Sequence, residues 1–160
     1  MTPDNTTVIH LLAGQRPDGQ LIFEDVRAEN AGDGCYRLLA SPLFARGAAK
    51  GDLLRLQAAG RFDVEQYGGN LCIRVLAKRD IDRIRSELQA ELPALGGELE
   101  FHNARMLALS VPVATGFSVI EAALNKVLQG NDQALWQYAN VYDPVDGETP
   151  LNWWHDFLAR

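Results

Sequence analysis

The second half of the chain changes hydrophobic period in a fixed order, and that order restricts the fold more than any other feature. Residues 71–77 form an apolar run of strand type, after which Ile81, Ile84, Leu88 and Leu92 recur at spacings of three and four, the stripe of an amphipathic helix. Asp80 stands where an N-cap is wanted, and Pro93 with Gly96-Gly97 stands where the helix should end. Two further strands, 98–102 and 106–111, are separated by a hairpin-sized gap. Ser118-Val119-Ile120-Glu121 then spells a capping box, in which hydroxyl and carboxylate each satisfy an otherwise orphan amide, and it opens a second helix that runs to Gly130. A last strand is predicted over 134–142. The sum is βαββαβ, the split βαβ order of ferredoxin-like domains, with right-handed crossovers putting both helices on one face of a four-stranded antiparallel sheet.

The first half has a different grammar. Strands are predicted over 7–13, 21–30, 36–40, 53–57 and 61–66, separated by turn residues such as Pro17-Asp18-Gly19 and Ala31-Gly32-Asp33-Gly34. Phe62 and Val64 alternate with Arg61, Asp63 and Glu65, the period of a half-buried strand. Five short strands so closely spaced predict a small antiparallel β-barrel or a strongly curled sheet. The break in pattern at Tyr67-Gly68-Gly69-Asn70 divides the chain into a barrel-like domain, 1–69, and a ferredoxin-like domain, 70–160, with an acidic aromatic C-terminal extension. The fold class expected is therefore α+β.

Charge excludes some functions. Acidic and basic residues balance, 10 against 10, up to residue 80, and stand at 11 against 5 beyond it. A chain of net charge -6 repels phosphate backbones and forgoes counterion release, so nucleic acid is not an expected partner. The strand 106–111 also lacks the stacking aromatics of an RNA-binding sheet. No apolar run approaches the roughly 18 residues of a membrane helix, and the polar N-terminus has no signal-peptide pattern, so no membrane association and a cytoplasmic location are expected. Cys35 and Cys72 lie in no metal or redox motif and are expected to be reduced thiols.

Catalytic signatures are not visible. Gly47-Ala48-Ala49-Lys50-Gly51-Asp52 has the wrong spacing for a phosphate loop and carries a carboxylate where the magnesium-binding hydroxyl belongs, so it reads as a tight turn before a strand. His10, His102 and His155 fall on separate elements without a second ligand at metal spacing, and Ser110 is not in a nucleophile elbow. No catalytic residue, metal site or cofactor is assigned.

The C-terminus stands out. All three tryptophans, Trp136, Trp153 and Trp154, follow residue 130, together with Tyr138, Tyr142 and Phe157. Around them stand Asp132, Asp143, Asp146, Glu148 and Asp156, against one basic residue, Arg160. Aromatic anchors ringed by carboxylates suit a basic protein partner, because rigid rings supply contact area and carboxylates steer the encounter. Trp153, Trp154, Phe157, Asp143, Asp146, Glu148 and Asp156 are the protein-binding candidates. The alternative is that Trp153, Trp154 and Phe157 are the apolar side of a short helix docked on the protein's own core.

Phe23-Glu24-Asp25-Val26-Arg27-Ala28-Glu29, Gly34-Cys35-Tyr36-Arg37-Leu38, Ser41-Pro42-Leu43-Phe44-Ala45-Arg46-Gly47 and Lys50-Gly51-Asp52 together resemble a family of small bacterial proteins known only as a domain of unknown function. Its marks are an acidic strand ending in Ala-Glu, a Tyr-Arg-Leu strand, a Pro-x-Phe turn and a Gly-Asp step. The resemblance covers residues 20–80 and continues beyond them in element order. It implies a barrel-like half joined to a ferredoxin-like half and brings no reaction. The expected function is a non-enzymatic protein-binding module, an inhibitor, immunity factor or adaptor. A small-molecule sensing domain acting as a dimer, or an unrecognised hydrolase, are the alternatives; the oligomeric state is not legible in the sequence.

Overall fold

A computed structural model describes residues 5–158. Arg160, counted above as the one basic residue of the C-terminal stretch, lies outside them. Five strands, β1 (Thr6–Gln15), β2 (Leu21–Gly32), β3 (Cys35–Leu38), β4 (Leu53–Leu56) and β5 (Phe62–Gln66), pair in chain order as an antiparallel meander. Period-two alternation buries Ile9 and Leu11 of β1, Val26 and Ala28 of β2, Leu38 and Leu54 in one core, while His10 and Arg27 face solvent. The expected barrel does not form. Among the described residues β5 does not pair with β1, so the sheet stays open. A one-turn 3₁₀ helix, Ala58–Gly60, occupies the place where closure would occur: a side chain at Gly60 would put its Cβ 2.8 Å from the Leu12 nitrogen and 2.9 Å from the Phe23 ring. The turn itself touches β1 at Leu12, and a cleft lined by Leu12, Phe62 and Val64 lies between β1 and β5.

The second sheet follows with β6 (Asn70–Ala77), α1 (Ile81–Leu95), β7 (Glu98–His102), β8 (Met106–Pro112), α2 (Phe117–Leu128) and β9 (Ala134–Tyr138). Its spatial order is β7-β8-β6-β9, with every neighbouring pair antiparallel. Leu71, Ile73 and Val75 of β6 and Leu107, Leu109 and Val111 of β8 share one core with Ile84, Leu88 and Leu92 of α1 and Ile120, Leu124 and Val127 of α2. The chain is thus an α+β protein with two helices and two antiparallel sheets. No helix among the described residues is long and apolar enough to cross a membrane.

Helix ends depart from the sequence expectation. Asp80 is the N-cap of α1, but it sits at φ 62° and its side chain makes no cap bond. Pro93 lies inside α1 rather than ending it; Gly96, at φ 71°, closes the helix, with Gly97 N donating to Leu92 O and Gly96 N to Pro93 O. The capping box does not form. Gly116, at φ 101°, is the N-cap of α2, Ser118 lies within the first turn without capping it, and Glu121 is engaged elsewhere. The last strand stops at Tyr138 because the next carbonyl, Ala139 O, accepts from Gly47 N at 2.8 Å. Asn140 then turns inward, fully buried: its Oδ1 accepts from Cys72 N and its Nδ2 donates to Asn70 O, both at 2.9 Å.

The two halves meet along a buried seam. Residues 39–52, between β3 and β4, lie on the face of the second sheet opposite the helices, where Ser41 bonds to Ser110 and Arg74 of β6 donates to the carbonyls of Pro42 (3.1 Å), Phe44 (3.0 Å) and Ala45. Glycine is required at the crossing point. A Cβ at Gly68 would fall 2.5 Å from the Gly51 carbonyl carbon.

Candidate functional site

The C-terminal aromatics divide into inward and outward sets. Trp153, 6% exposed, belongs to the helix-side core, donates from Nε1 to Asn140 O at 2.8 Å and stacks on Tyr67 with centroids 5.2 Å apart and planes 11° from parallel. Trp154 is half-buried, edge-on to Phe117 at 5.4 Å and to Trp153 at 5.7 Å. Phe157 lies over Gly69, where an added Cβ would come within 2.9 Å of its ring, yet remains exposed, as does Asp156. The two tryptophans fasten the tail to the body; Phe157 and Asp156 reach solvent.

Three of the acidic residues, Asp143, Asp146 and Glu148, gather in one ordered excursion. Tyr142 and Pro150 pair across its base, and Asp143 N donates to Thr149 O at 2.8 Å. Within it, Asp143 Oδ1 accepts from Val145 N at 2.8 Å, and Asp146 Oδ1 accepts from Glu148 N at 2.8 Å and Thr149 N at 2.9 Å. The Thr149 hydroxyl and these two amides hold the Asp146 carboxyl below its ordinary pKa. Asx turns of this kind order a loop without a core beneath it. At the tip stands Val145, 94% exposed, with Asp146 and Glu148 exposed beside it and Asp143 half-buried.

Two clefts flank this loop. One, of about 410 Å³, is lined by Arg46, Glu121, Trp136, Tyr138, Tyr142 and Asp143; the other, of about 430 Å³, is lined by Leu12, Phe62, Tyr67, Val145 and Leu151. Arg46 and Pro144 border both. The rings of the first cleft are held in place: Trp136 Nε1 donates to Asn125 Oδ1 at 2.8 Å, and Tyr138 OH donates to Glu121 Oε2 at 2.9 Å while packing edge-on to Phe117 at 5.7 Å. Burial, and then the Glu121 carboxylate, push the Tyr138 phenol well above its ordinary pKa, so it stays a donor.

The remaining polar groups are spread over the molecule. His10 pairs with Asp25 on the exposed face of the first sheet, His102 Nδ1 meets Arg85 at 3.1 Å, and His155 is exposed beside Trp154. No group of three or more His, Cys, Asp or Glu residues among those described could hold a metal ion. Cys35 and Cys72 are buried free thiols, and burial pushes the Cys72 thiol up to about 11. The Gly47–Asp52 segment is a turn leading into β4, and Asp52 is its anchor: the buried carboxylate accepts from Ala49 N at 2.9 Å and Gly68 N at 2.7 Å. Desolvation raises its pKa to about 7. Sequence reasoning missed Asp52, Asn140 and Arg74, because Gly68, Cys72 and the carbonyls of residues 42–45 lie far along the chain from them; Arg74, whose charge alone suggests a solvated face, is buried. The signal for Asp52 was the tight Lys50-Gly51-Asp52 step itself.

The family model described as a domain of unknown function, DUF4265, matches residues 24–138, more than half of the chain. The chain belongs to the DUF4265 family. The family match spans both sheets and the seam between them, from Glu24 of β2 to Tyr138 of β9. This DUF4265 chain is also similar to a crystal structure of a hypothetical protein from Neisseria gonorrhoeae, at a TM-score of 0.59 and 15% identity, over 87% of this chain and 96% of that one. At that identity the likeness is one of fold. No curated protein matches the sequence.

Proposed function

We propose that this protein is a non-enzymatic protein-binding module, an inhibitor, immunity factor or adaptor that docks a basic partner in a reducing, cytoplasmic setting. The observation that carries the proposal is the ordered acidic loop with Val145 at its tip. A valine 94% exposed and flanked by Asp146 and Glu148 gains nothing from its own fold; on a partner it fills a pocket while the carboxylates meet a basic rim. Because the loop's bonds are already made in the free protein, little ordering entropy is lost on binding. In this reading Trp153 and Trp154 support the surface from within and Phe157 and Asp156 extend it. The second half is, on the same proposal, a ferredoxin-like unit, which the order β7-β8-β6-β9 supports.

The test is a photo-cross-linking amino acid, p-benzoylphenylalanine, in place of Val145 in the cells that make the protein. One predominant adduct to a basic protein, abolished by reversing the charges of Asp146 and Glu148, is expected. Absence of an adduct, or an adduct indifferent to that reversal, would remove the reading.

A further inference from the structure

We infer that the free edge of β9 is a strand-addition site for an extended basic segment of the partner protein; this rests on the protein-binding reading above and names the form of the ligand. The hydrogen-bond phase of the ladder decides which groups are available. Ala139 N donates to Cys72 O and Lys78 N to Gln133 O, so with the register Ile73↔Tyr138 and Val75↔Trp136, the odd-numbered residues of β9 bond to β6. The N–H and C=O groups of Trp136 and Tyr138 therefore point away from β6, to the outer edge, along which the cleft of about 410 Å³ runs.

Among the described residues the other sheet edges carry charge or are partly covered. β7 carries Glu98 and Glu100 and a register irregularity at Leu99/Phe101, β5 carries Asp63 and Glu65, and β1 is blocked at Leu12 by the Ala58–Gly60 turn. In β9, Ala134-Leu135-Trp136-Gln137-Tyr138, there is no charge, proline or bulge. The cleft beside it offers Glu121 and Asp143 against Arg46, and Asp146 and Glu148 follow on the loop, so the complementary strand is basic. In strand addition the main-chain bonds supply affinity, and alternate side chains read the walls, here the fixed rings of Trp136 and Tyr138 and the exposed ring of Tyr142.

The probe is the capped peptide acetyl-Lys-Val-Lys-Val-Lys-amide at millimolar concentration, followed by NMR on the full chain. Binding should slow hydrogen exchange of the Trp136 and Tyr138 amides at least tenfold and leave Lys78, already bonded within the ladder, unchanged. A fully backbone-N-methylated version and a Glu-for-Lys version should each bind at least tenfold more weakly. Trp136→Pro, which removes the outward N–H, should lose the peptide, whereas Trp136→Ala, which removes the same ring but keeps the N–H, should retain it. Unprotected Trp136 and Tyr138 amides, or equal binding of the methylated peptide, would overturn the inference, whether or not the Pro variant folds. The two readings separate cleanly: an adduct at position 145 with unprotected β9 amides sinks the edge alone, and protected amides with no adduct sink the loop alone.

Discussion

Glu24 and Arg74 grip the same turn from opposite sides. The Glu24 carboxylate, on β2, accepts from the amides of Leu43 and Phe44 at 2.9 Å and from Ala45, while the Arg74 guanidinium, on β6, donates to the carbonyls of Pro42, Phe44 and Ala45. The peptide dipoles of one turn thus run from a cation in the second sheet to an anion in the first. Burial pulls the Arg74 pKa below its ordinary value, and the neighbouring Cys72 and Glu24 act against that pull. Arg74→Leu should lower stability by about 3 kcal/mol or more, because it strands several buried carbonyls, whereas Glu24→Gln, which keeps an acceptor, should cost about 1–2 kcal/mol. Urea melts of the two variants measure both, and the larger loss belongs to Arg74.

Asp52 should make stability fall as pH rises. Its folded pKa, about 7, lies above the ordinary value of 3.8, so the folded state binds the proton more tightly, and the stability this brings is full below pH 4 and is lost as pH rises through 7. The shift corresponds to about 4 kcal/mol. In Asp52→Asn the segment of the stability profile between pH 4 and 7 should be flatter than in the parent; equal slopes would contradict the assignment.

Trp153 and Val145 should separate folding from binding. Trp153→Ala opens a cavity in the core and strands the Asn140 carbonyl, at a cost of about 3–5 kcal/mol. Val145→Asp should change stability by no more than about 0.5 kcal/mol and weaken the partner complex by about 2 kcal/mol or more. Thermal melts and titration of the cross-linked partner distinguish the two.

Ser118→Ala should be silent in a urea melt, within about 0.5 kcal/mol, since Ser118 caps nothing. Gly116→Ala should cost about 1–3 kcal/mol through strain alone, because nothing lies within 4 Å of the added Cβ but φ is 101°. The reverse ranking would restore the capping box.

What the sequence determined by itself is what periodicity encodes. The positions of Ile84, Leu88 and Leu92 on one helix face, the alternation of Ile9 and Leu11 with His10, and the order of elements from β6 to β9 follow from 3.6-residue and two-residue repeats that need no distant partner. Ends and anchors needed the tertiary structure. Glu121 has a capping spacing from Ser118, but the Tyr138 hydroxyl, 17 residues away, offers it a partner on β9, and Gly116 supplies the backbone turn instead. The first sheet has the strand count of a barrel, but β5 does not reach β1, which meets the Ala58–Gly60 turn instead. Trp153 lies in an acidic stretch and still points inward, because Tyr67 and Asn140 O are within reach only once the tail has folded back. A local pattern settles which face of an element is apolar; which polar group meets which is settled by segments that contact only after the chain has collapsed.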